Sequence, residues 1–390
     1  MIINNMKGLY TRFNKVQLLR GGREYFDCLV ETIERTEQFI HLQYYIFDAD
    51  DTGQRVADAL KKAAERGVKV FLLVDGFASQ QLPGEFIADL KKSGVHFRWF
   101  QPLLKGKGFY FGRRLHHKVV VADGVISLVA GLNVSNRYND MPEHSAWLDW
   151  AVIAEGEVSA ELYTICRMLW YKSSYSKQLA REKPEEIKPS GIKDICEVRV
   201  RRNDWVRRKN QVTRSYLEMF RDAKEEIIIM SSYFLPGKKL RKRMEQAARR
   251  GVRIRLILAG RSDIRIAKYA ERYMYRWLIN KKIKIFEYQP NIVHGKIGVC
   301  DKTMVTVGSY NFNNISAYAS LELNLDIRNK PFAEDTHQKL VRIIETDCEE
   351  INETNAKVYQ GFGQRIAQRV SYEVVRLMIF VFTFYFKQKE

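Results

Sequence analysis

Two histidines in this chain are each followed, at the same spacing, by a lysine and an aspartate. The pattern His-x-Lys-x4-Asp begins at His116 and again at His294. Histidine can attack phosphorus as a neutral nucleophile or protonate a leaving oxygen as a cation, because its ordinary pKa is about 6.5. Lysine adds a fixed positive charge for an anionic group. The pattern therefore indicates phosphodiester chemistry with one histidine for each task. Its six residues are His116, Lys118, Asp123, His294, Lys296 and Asp301.

Each copy continues to an asparagine whose N–H groups can bind the same anion. In the second copy, six residues separate Asp301 from the sequence Gly-Ser-x-Asn, which contains Ser309 and Asn311. In the first copy the corresponding asparagine is Asn133, and Ala130 stands where the second copy has glycine. We expect the lysines and asparagines to hold the non-bridging oxygens of one phosphate.

The alternation His-x-Lys puts both side chains on one face of an extended strand, so His117 is expected to point the other way. The apolar runs 119–122 and 297–300 predict that a buried strand follows each motif. Histidines outside the repeated pattern are interpreted as structural. They are His41, His96, His117, His144 and His337.

The duplicated pattern resembles the signature of the phospholipase D superfamily, and within it the bacterial cardiolipin synthases. The second copy matches that signature completely. The resemblance implies an α/β fold of two homologous phospholipase D-type sandwich halves, packed with pseudo-two-fold symmetry, with the active site at their interface. It also implies that Asn133, Asn311 and Ser309 bind the substrate.

The resemblance makes two further acidic residues informative. Glu322, eleven residues after Asn311, stands where many family members have a glutamate that orients the histidine, and Asp149 resembles its counterpart in the first half. A carboxylate bonded to one imidazole nitrogen fixes the tautomer and stabilises the cation. Asp123 and Asp301 are counted with the catalytic motif, although the sequence leaves open whether they take part in the chemistry and favours a structural role.

A wider duplication supports two homologous halves. Residues 63–70 are echoed by 247–254, and each segment predicts a helix, a turn and a buried strand. We predict a first half at 1–172, a linker rich in Lys, Glu, Ser and Pro at 173–197, a second half at 198–350, and an amphipathic tail at 351–390. The first half carries about ten extra residues within 103–114, which are basic, aromatic and glycine-rich. They suit either a loop that contacts lipid or an ordinary surface loop.

Charge and the C-terminal sequence indicate the partner. The net charge of +19 favours a polyanion, which could be nucleic acid or an anionic membrane. The apolar segment 377–386, flanked by Arg376 and Lys387, is too short to span a bilayer but suits the membrane interface. It could instead pack on the protein's own core. We therefore predict a peripheral protein on an anionic phospholipid membrane and regard nucleic acid as the weaker alternative.

The remaining features concern location and cofactors. The sequence has no apolar signal segment, and its five cysteines are scattered, as is typical of a reducing compartment. This predicts the cytoplasmic face of the bacterial membrane and resembles the shorter cardiolipin synthases that lack N-terminal transmembrane helices. No paired ligand spacing predicts a metal site, and no cofactor is expected.

The resemblance implies phosphatidyl transfer between two phosphatidylglycerol molecules, with release of glycerol and a phosphatidyl-histidine intermediate. By the same resemblance, His116 is the nucleophile and His294 is the acid. Two alternatives remain: another phospholipase D-type phosphodiesterase, acting as a lipid hydrolase or nuclease, and a catalytically silent membrane-binding member. The two intact motifs disfavour the silent member. The sequence leaves the acceptor alcohol and the oligomeric state open.

Overall fold

The computed structural model describes residues 9–102, 113–171, 195–204, 207, 209–313, 320–354 and 361–384. These residues form two compact units. The first contains 9–102, 114–146, 150–171 and 195–200, and the second contains 113, 147–149 and the described residues from 201 onward. Most of the predicted insert (residues 103–112) and most of the predicted linker (residues 173–194) lie outside the described residues.

The first unit is an α/β sheet with helices packed against it. Its elements are β1 (Thr11–Arg20), α1 (Arg23–Arg35), β2 (Phe39–Tyr44), α2 (Asp51–Glu65), β3 (Lys69–Asp75), α3 (Gly84–Lys92), β4 (His96–Phe100), β5 (Arg114–Leu115), β6 (Lys118–Ala122), β7 (Ile126–Ala130), β8 (Trp150–Gly156), α4 (Glu157–Tyr171) and β9 (Ile195–Asp204). The strand order β4-β3-β2-β6-β7-β8-β1 has parallel pairing from β4 to β2 and antiparallel pairing thereafter. The predicted linker ends inside a strand, since residues 195–197 belong to β9.

Local sequence explains these elements. Asp50 is the N-cap residue of α2. Its side chain accepts a hydrogen bond from the backbone N–H of Gly53 and so caps the first turn. Its apolar residues recur at helical spacing, and Val56, Leu60 and Ala63 are buried. All six residues of β2 are buried, as is expected for a central strand covered on both faces.

The second unit repeats the same plan. Its elements are β10 (Lys209–Asn210), α5 (Gln211–Asp222), β11 (Glu226–Ser231), α6 (Lys238–Arg249), β12 (Arg253–Ala259), α7 (Arg265–Asn280), β13 (Lys284–Tyr288), β14 (Ile297–Cys300), β15 (Met304–Gly308), β16 (Ser320–Arg328), α8 (Lys330–Asp347), β17 (Cys348–Ile351) and α9 (Phe362–Phe384). The strand order β13-β12-β11-β14-β15-β16 reproduces β4-β3-β2-β6-β7-β8, with the same parallel and antiparallel pairs. The prediction of two homologous α/β halves is thus confirmed.

The helix α9 gives the predicted tail a defined neighbour within the second unit. It packs along α7, and the rings of Tyr372 and Tyr273 are 4.8 Å apart. Leu377 and Met378, near its end, are 62% and 49% exposed. Side chains beyond Met378 lie outside the described residues. Among the helices that are described, none has the length and apolar character needed to cross a bilayer.

The two motif aspartates hold the start of a central strand in their own unit. Asp123 accepts hydrogen bonds from three successive backbone N–H groups, those of residues 37–39, at 2.9 Å each. Asp301 accepts three from residues 224–226, at 2.8 to 2.9 Å. Asp123 follows the end of β6. Because five residues of extended strand separate it from Lys118, the two backbone positions are about 16 Å apart. These contacts support the structural role that the sequence favoured for both aspartates, and a part for them in the chemistry stays a prediction.

Replacing Asp301 with asparagine tests this structural role. Asp301 has a φ of 47°, which asparagine tolerates equally well, so Asp301→Asn removes acceptor capacity with little change in backbone preference. We expect a loss of about 1–3 kcal/mol in the free energy of unfolding, measured by urea denaturation. Asp335→Asn, at an exposed surface ion pair, should leave that free energy nearly unchanged. Wild-type stability in Asp301→Asn, combined with lost activity, would show that the carboxylate acts in the chemistry after all.

Candidate active site

The second motif lies at the edge of its sheet where the parallel strands end. Met230, near the end of β11, pairs with Ile297 at the start of β14. The residues that precede Ile297, including His294 and Lys296, therefore lie beside the segment that follows β11. The carboxyl ends of β11 and β12 meet at this edge, which is where open α/β sheets usually bind ligands.

A three-residue segment, Trp147–Asp149, fixes the position of His294. The carbonyl oxygen of Leu148 accepts hydrogen bonds from the backbone N–H groups of His294 at 2.8 Å and Gly295 at 2.9 Å. Leu148 also forms a parallel bridge with Val293. This pairing brings the carboxylate of Asp149 beside the imidazole of His294.

His294, Asp149 and Lys296 form a compact buried cluster. Nδ1 of His294 lies 2.6 Å from Oδ2 of Asp149 and 2.8 Å from Nζ of Lys296. Asp149 is fully buried, and Lys296 is 1% exposed. Because an ionised carboxylate can only accept, a proton on Nδ1 is donated to Asp149, and Nε2 is left for the substrate. The sequence identified Asp149 as a histidine-orienting residue, and in the structure its contact is with the second motif.

The charge of Lys296 is sensitive to this environment. Burial lowers the pKa of Lys296 to about 8, while the negative charges of Asp149, Glu322 and Asp263 act in the opposite direction. The ammonium is therefore present below about pH 8 and is lost as the pH rises through that value. Loss of this charge would leave less positive potential for an anionic substrate.

The first motif has a related arrangement in the first unit. Nζ of Lys118 donates a hydrogen bond to the carbonyl oxygen of His116 at 2.6 Å, and Lys296 makes the same contact with the carbonyl of His294. Lys118 is 1% exposed and lies 5.4 Å from the ring centroid of Tyr45. The rings of Tyr45 and His116 are 4.8 Å apart. Each unit thus holds its motif lysine by the backbone of its own motif histidine.

His117 has a separate role. It is buried, and its Nε2 lies 2.8 Å from the side-chain oxygen of Gln43 in β2. This contact is on the sheet side, as expected from the alternation of side chains along an extended segment. His117 is therefore a satisfied structural histidine.

The motif asparagines are both buried but have different contacts. Asn133 donates to the hydroxyl of Tyr138 at 2.9 Å and accepts from the backbone N–H of Ile46 at 3.1 Å, so its amide also braces the loop after β2. The side-chain oxygen of Asn311 is buried and has no hydrogen-bond partner among the described residues. This oxygen is an acceptor, so it could bind a hydroxyl group of a ligand but not an oxygen of a phosphate.

Ser309 and Glu322 contact each other. The hydroxyl of Ser309 donates to Oε2 of Glu322, and Ser320 donates to Oε1 at 2.8 Å. Ser309 also accepts from the backbone N–H of Leu323 at 3.1 Å. Ser309 therefore positions the buried Glu322, whose charge acts on Lys296. A direct substrate contact by Ser309, and the orientation of a histidine by Glu322, stay predictions.

A family model described as "Cardiolipin synthase, PLD-like domain" matches residues 29–170 and 216–344, which include both motifs. The chain belongs to this phospholipase D-like family. Cardiolipin synthase B of Escherichia coli (strain K12) is 33% identical over 353 residues, covering 90% of this chain and 85% of that protein. A probable cardiolipin synthase of Bacillus subtilis (strain 168) is 28% identical, covering 93% and 71% respectively.

A solved structure agrees on the fold. The phosphatidylserine synthase of Haemophilus influenzae Rd KW20 matches with a TM-score of 0.73 and 14% identity, covering 96% of each chain. At this identity the likeness concerns the fold alone. The family resemblance drawn from the two motifs and the α/β fold class are confirmed.

Sequence reasoning left out two residues that the structure brings to the motifs. The ring of Tyr45 lies near His116 and Lys118. The negative charge of Asp263 opposes the lowering of the Lys296 pKa by burial. Both residues follow the carboxyl end of a parallel strand, β2 and β12 respectively. That position is the signal that could have identified them.

Replacing Asp149 with asparagine tests the cluster. The variant keeps the shape of the side chain but loses the charge that stabilises an imidazolium and supports the ammonium of Lys296. We expect kcat/KM to fall by about 100-fold or more. The pH dependence of kcat/KM reports pKa values of the free enzyme. Its decrease at alkaline pH should begin at a lower pH in the variant, because the pKa of Lys296 falls further without the negative charge of Asp149. Asp335→Asn serves as the control, and a reduced rate with an unmoved alkaline decrease would contradict the coupling to Lys296.

Proposed function

We propose that this protein is a cardiolipin synthase that transfers a phosphatidyl group from one phosphatidylglycerol to another and releases glycerol. The observation that carries the proposal is the buried cluster of His294, Asp149 and Lys296, in a chain whose family model and relatives bear the name cardiolipin synthase. Imidazole, carboxylate and ammonium are the groups needed to handle an anionic phosphodiester without a cofactor.

The proposed reaction has two steps. In the first, Nε2 of one histidine attacks the phosphorus of the donor, the bond from phosphorus to the glycerol oxygen breaks, and the other histidine protonates the released glycerol. In the second, a hydroxyl of the acceptor attacks the phosphatidyl-histidine, the P–N bond breaks, and the hydroxyl proton passes to the histidine that first acted as acid. The proposal assigns one histidine and one lysine of each motif to the reaction, and the lysines neutralise the charge of the phosphate.

The electrostatics support the division of roles. The carboxylate of Asp149 faces Nδ1 of His294 at 2.6 Å, and this contact stabilises the protonated imidazole that a general acid requires. We accordingly assign His294 as the acid and His116 as the nucleophile. The burial of both lysines limits water near the phosphate, which favours transfer to an alcohol over hydrolysis.

The proposed location is peripheral, on the cytoplasmic face of the cell membrane. The helix α9 carries exposed apolar side chains at Ile366, Val370, Leu377 and Met378. The net charge of +19 would attract anionic lipid. Apolar contact and charge together give reversible attachment, for which neither is sufficient alone.

The function is tested with purified protein and vesicles of labelled phosphatidylglycerol. We expect release of glycerol with formation of cardiolipin, and a loss of turnover of at least about 1,000-fold in both His116→Ala and His294→Ala. His117→Gln is the matched control; it can lower stability, but activity per folded molecule should stay within a few-fold of wild type. Phosphatidic acid as the sole lipid product would identify a hydrolase instead, and cleavage of nucleic acid without lipid turnover would identify a nuclease.

Role assignment is tested by rapid quench. An acid-labile, base-stable phosphatidyl adduct should accumulate on His116 and should be absent from His116→Ala. An adduct on His294 would reverse the two roles. No adduct on either histidine would indicate direct displacement by the acceptor.

Membrane attachment is tested first by substitutions that keep the helix α9 and then by a truncation within it. Leu377→Ser combined with Met378→Ser should weaken binding to anionic vesicles and lower activity on bilayers, with little effect on a short-chain soluble substrate. The control replaces Leu9 and Ile195, which are 65% and 73% exposed, with serine. Truncation after Tyr372 should act in the same direction. Loss of activity on both substrates would show that α9 stabilises the fold rather than binding membrane.

A further inference from the structure

A positively charged cavity lies in the second unit, outside the motif residues. Its volume is about 210 Å³. Four of its lining residues are cationic, and the others include a serine and a tyrosine. The lining includes Arg261, Ser262, Arg265, Lys268, Tyr269 and Arg272.

Helix geometry and one glycine form this cavity. Residues 265, 268, 269 and 272 follow the spacing i, i+3, i+4, i+7, so they share one face of α7. Gly260, which follows β12, also lines the cavity. A Cβ on Gly260 would lie 2.5 Å from the carbonyl oxygen of Tyr288, so only glycine allows this close approach of two backbones.

The cavity keeps positive charge after its internal ion pairs are counted. The ammonium of Lys268 lies 2.8 Å from both Glu271 and Glu287, and Arg272 binds Glu287 through two nitrogens at 3.2 and 3.0 Å. Arg261 and Arg265 are exposed, and neither has an ion pair within the part of the chain that the structure describes. With Asp263, which stands between Arg261 and Arg265 in sequence, the four cations face three carboxylates, so one net positive charge is left for an anion.

Hydrogen bonds connect the helix that lines the cavity to the segment that follows β11. Glu271, on the same helix, accepts a hydrogen bond from the backbone N–H of Phe234 at 3.0 Å. The preceding residue, Tyr233, donates its hydroxyl to Asp263 at 2.7 Å. Tyr233 and Asp263 follow the carboxyl ends of the parallel strands β11 and β12, at the edge that carries His294. The negative charge of Asp263 acts on Lys296. The cavity therefore lies at the same edge of the sheet as the second motif.

We propose that this cavity binds the phosphodiester of the acceptor phospholipid, so that the acceptor's free glycerol hydroxyl reaches the phosphatidyl-histidine. This inference rests on the proposed function. A product that joins two phosphatidyl groups through one glycerol has two phosphates, each with one negative charge. The motif lysines serve the first phosphate, and the second needs cations of its own. Arg261 and Arg265 supply these cations, since one guanidinium group can donate two parallel hydrogen bonds to two oxygens of a phosphate.

Exposed apolar side chains close in sequence to the cavity residues suit a lipid acceptor. Ile264 and Ile266, on either side of Arg265 in sequence, are 46% and 38% exposed, and Tyr269 is 36% exposed. Apolar side chains beside a cationic pocket suit a molecule with an anionic head group and acyl chains. Free inorganic phosphate would make no use of these exposed apolar side chains.

The test compares three acceptors in the presence of labelled phosphatidylglycerol as donor. They are phosphatidylglycerol itself, glycerophosphoglycerol, which keeps the phosphodiester without acyl chains, and glycerol, which has neither. Wild-type protein should prefer glycerophosphoglycerol to glycerol, measured as the ratio of the two kcat/KM values. Arg261→Gln with Arg265→Gln should lower that ratio at least 10-fold, and Arg261→Lys with Arg265→Lys should recover part of it.

The matched control is Lys239→Gln with Lys242→Gln on α6, which removes the same charge from exposed positions. It should keep the wild-type ratio. An unchanged ratio in the arginine variants would overturn the proposal, and so would an equal loss with all three acceptors accompanied by weaker vesicle binding, which would identify a general membrane contact. Absence of cardiolipin with wild-type protein would instead reject the proposed function, and the acceptor site with it.

Discussion

The hydrogen bond between Asp149 and His294 is the interaction on which the site depends. Both groups are buried beside the ammonium of Lys296. A buried charge is costly unless it is paired, so the three side chains are stable only in each other's presence. Their burial lowers the pKa of Lys296 to about 8, while the carboxylate keeps it from falling further. The same arrangement that stabilises the cluster keeps its imidazole and ammonium ready for a phosphodiester.

The sheets supply the rigid base that such a cluster needs. Each unit has the same strand order, and each motif stands just before a buried antiparallel strand, β6 or β14, at the edge where the parallel strands end. Asp123 and Asp301 stabilise the beginning of the adjacent central strand by accepting three backbone N–H groups each. The spacing that is repeated in the two motifs therefore combines two tasks: the histidine and lysine lie at the ligand edge, and the aspartate anchors the strand at the other end.

Particular residues show how far the sequence could be interpreted. The duplicated spacing identified His116, Lys118, His294 and Lys296, and alternation along an extended segment predicted that His117 turns away from them. The resemblance singled out Asp149 as a histidine-orienting residue, but the histidine it contacts follows from the pairing of Leu148 with Val293, 145 residues away. The cationic face of α7 has the spacing of any amphipathic helix, and the sequence alone gave no reason to expect a cavity beside it.

The sequence by itself determined the chemistry and the plan of the fold, because both are encoded locally. Residue types at fixed spacing specify nucleophile, acid and cation, and repeated apolar periodicities specify the order of strands and helices in each half. The tertiary structure decided what depends on distant segments. It brings the carboxylate of Asp149 to His294, lowers the pKa of Lys296 by burial, and forms the cavity between α7 and Gly260. These depend on burial and on side chains that are remote in sequence, which no local pattern records.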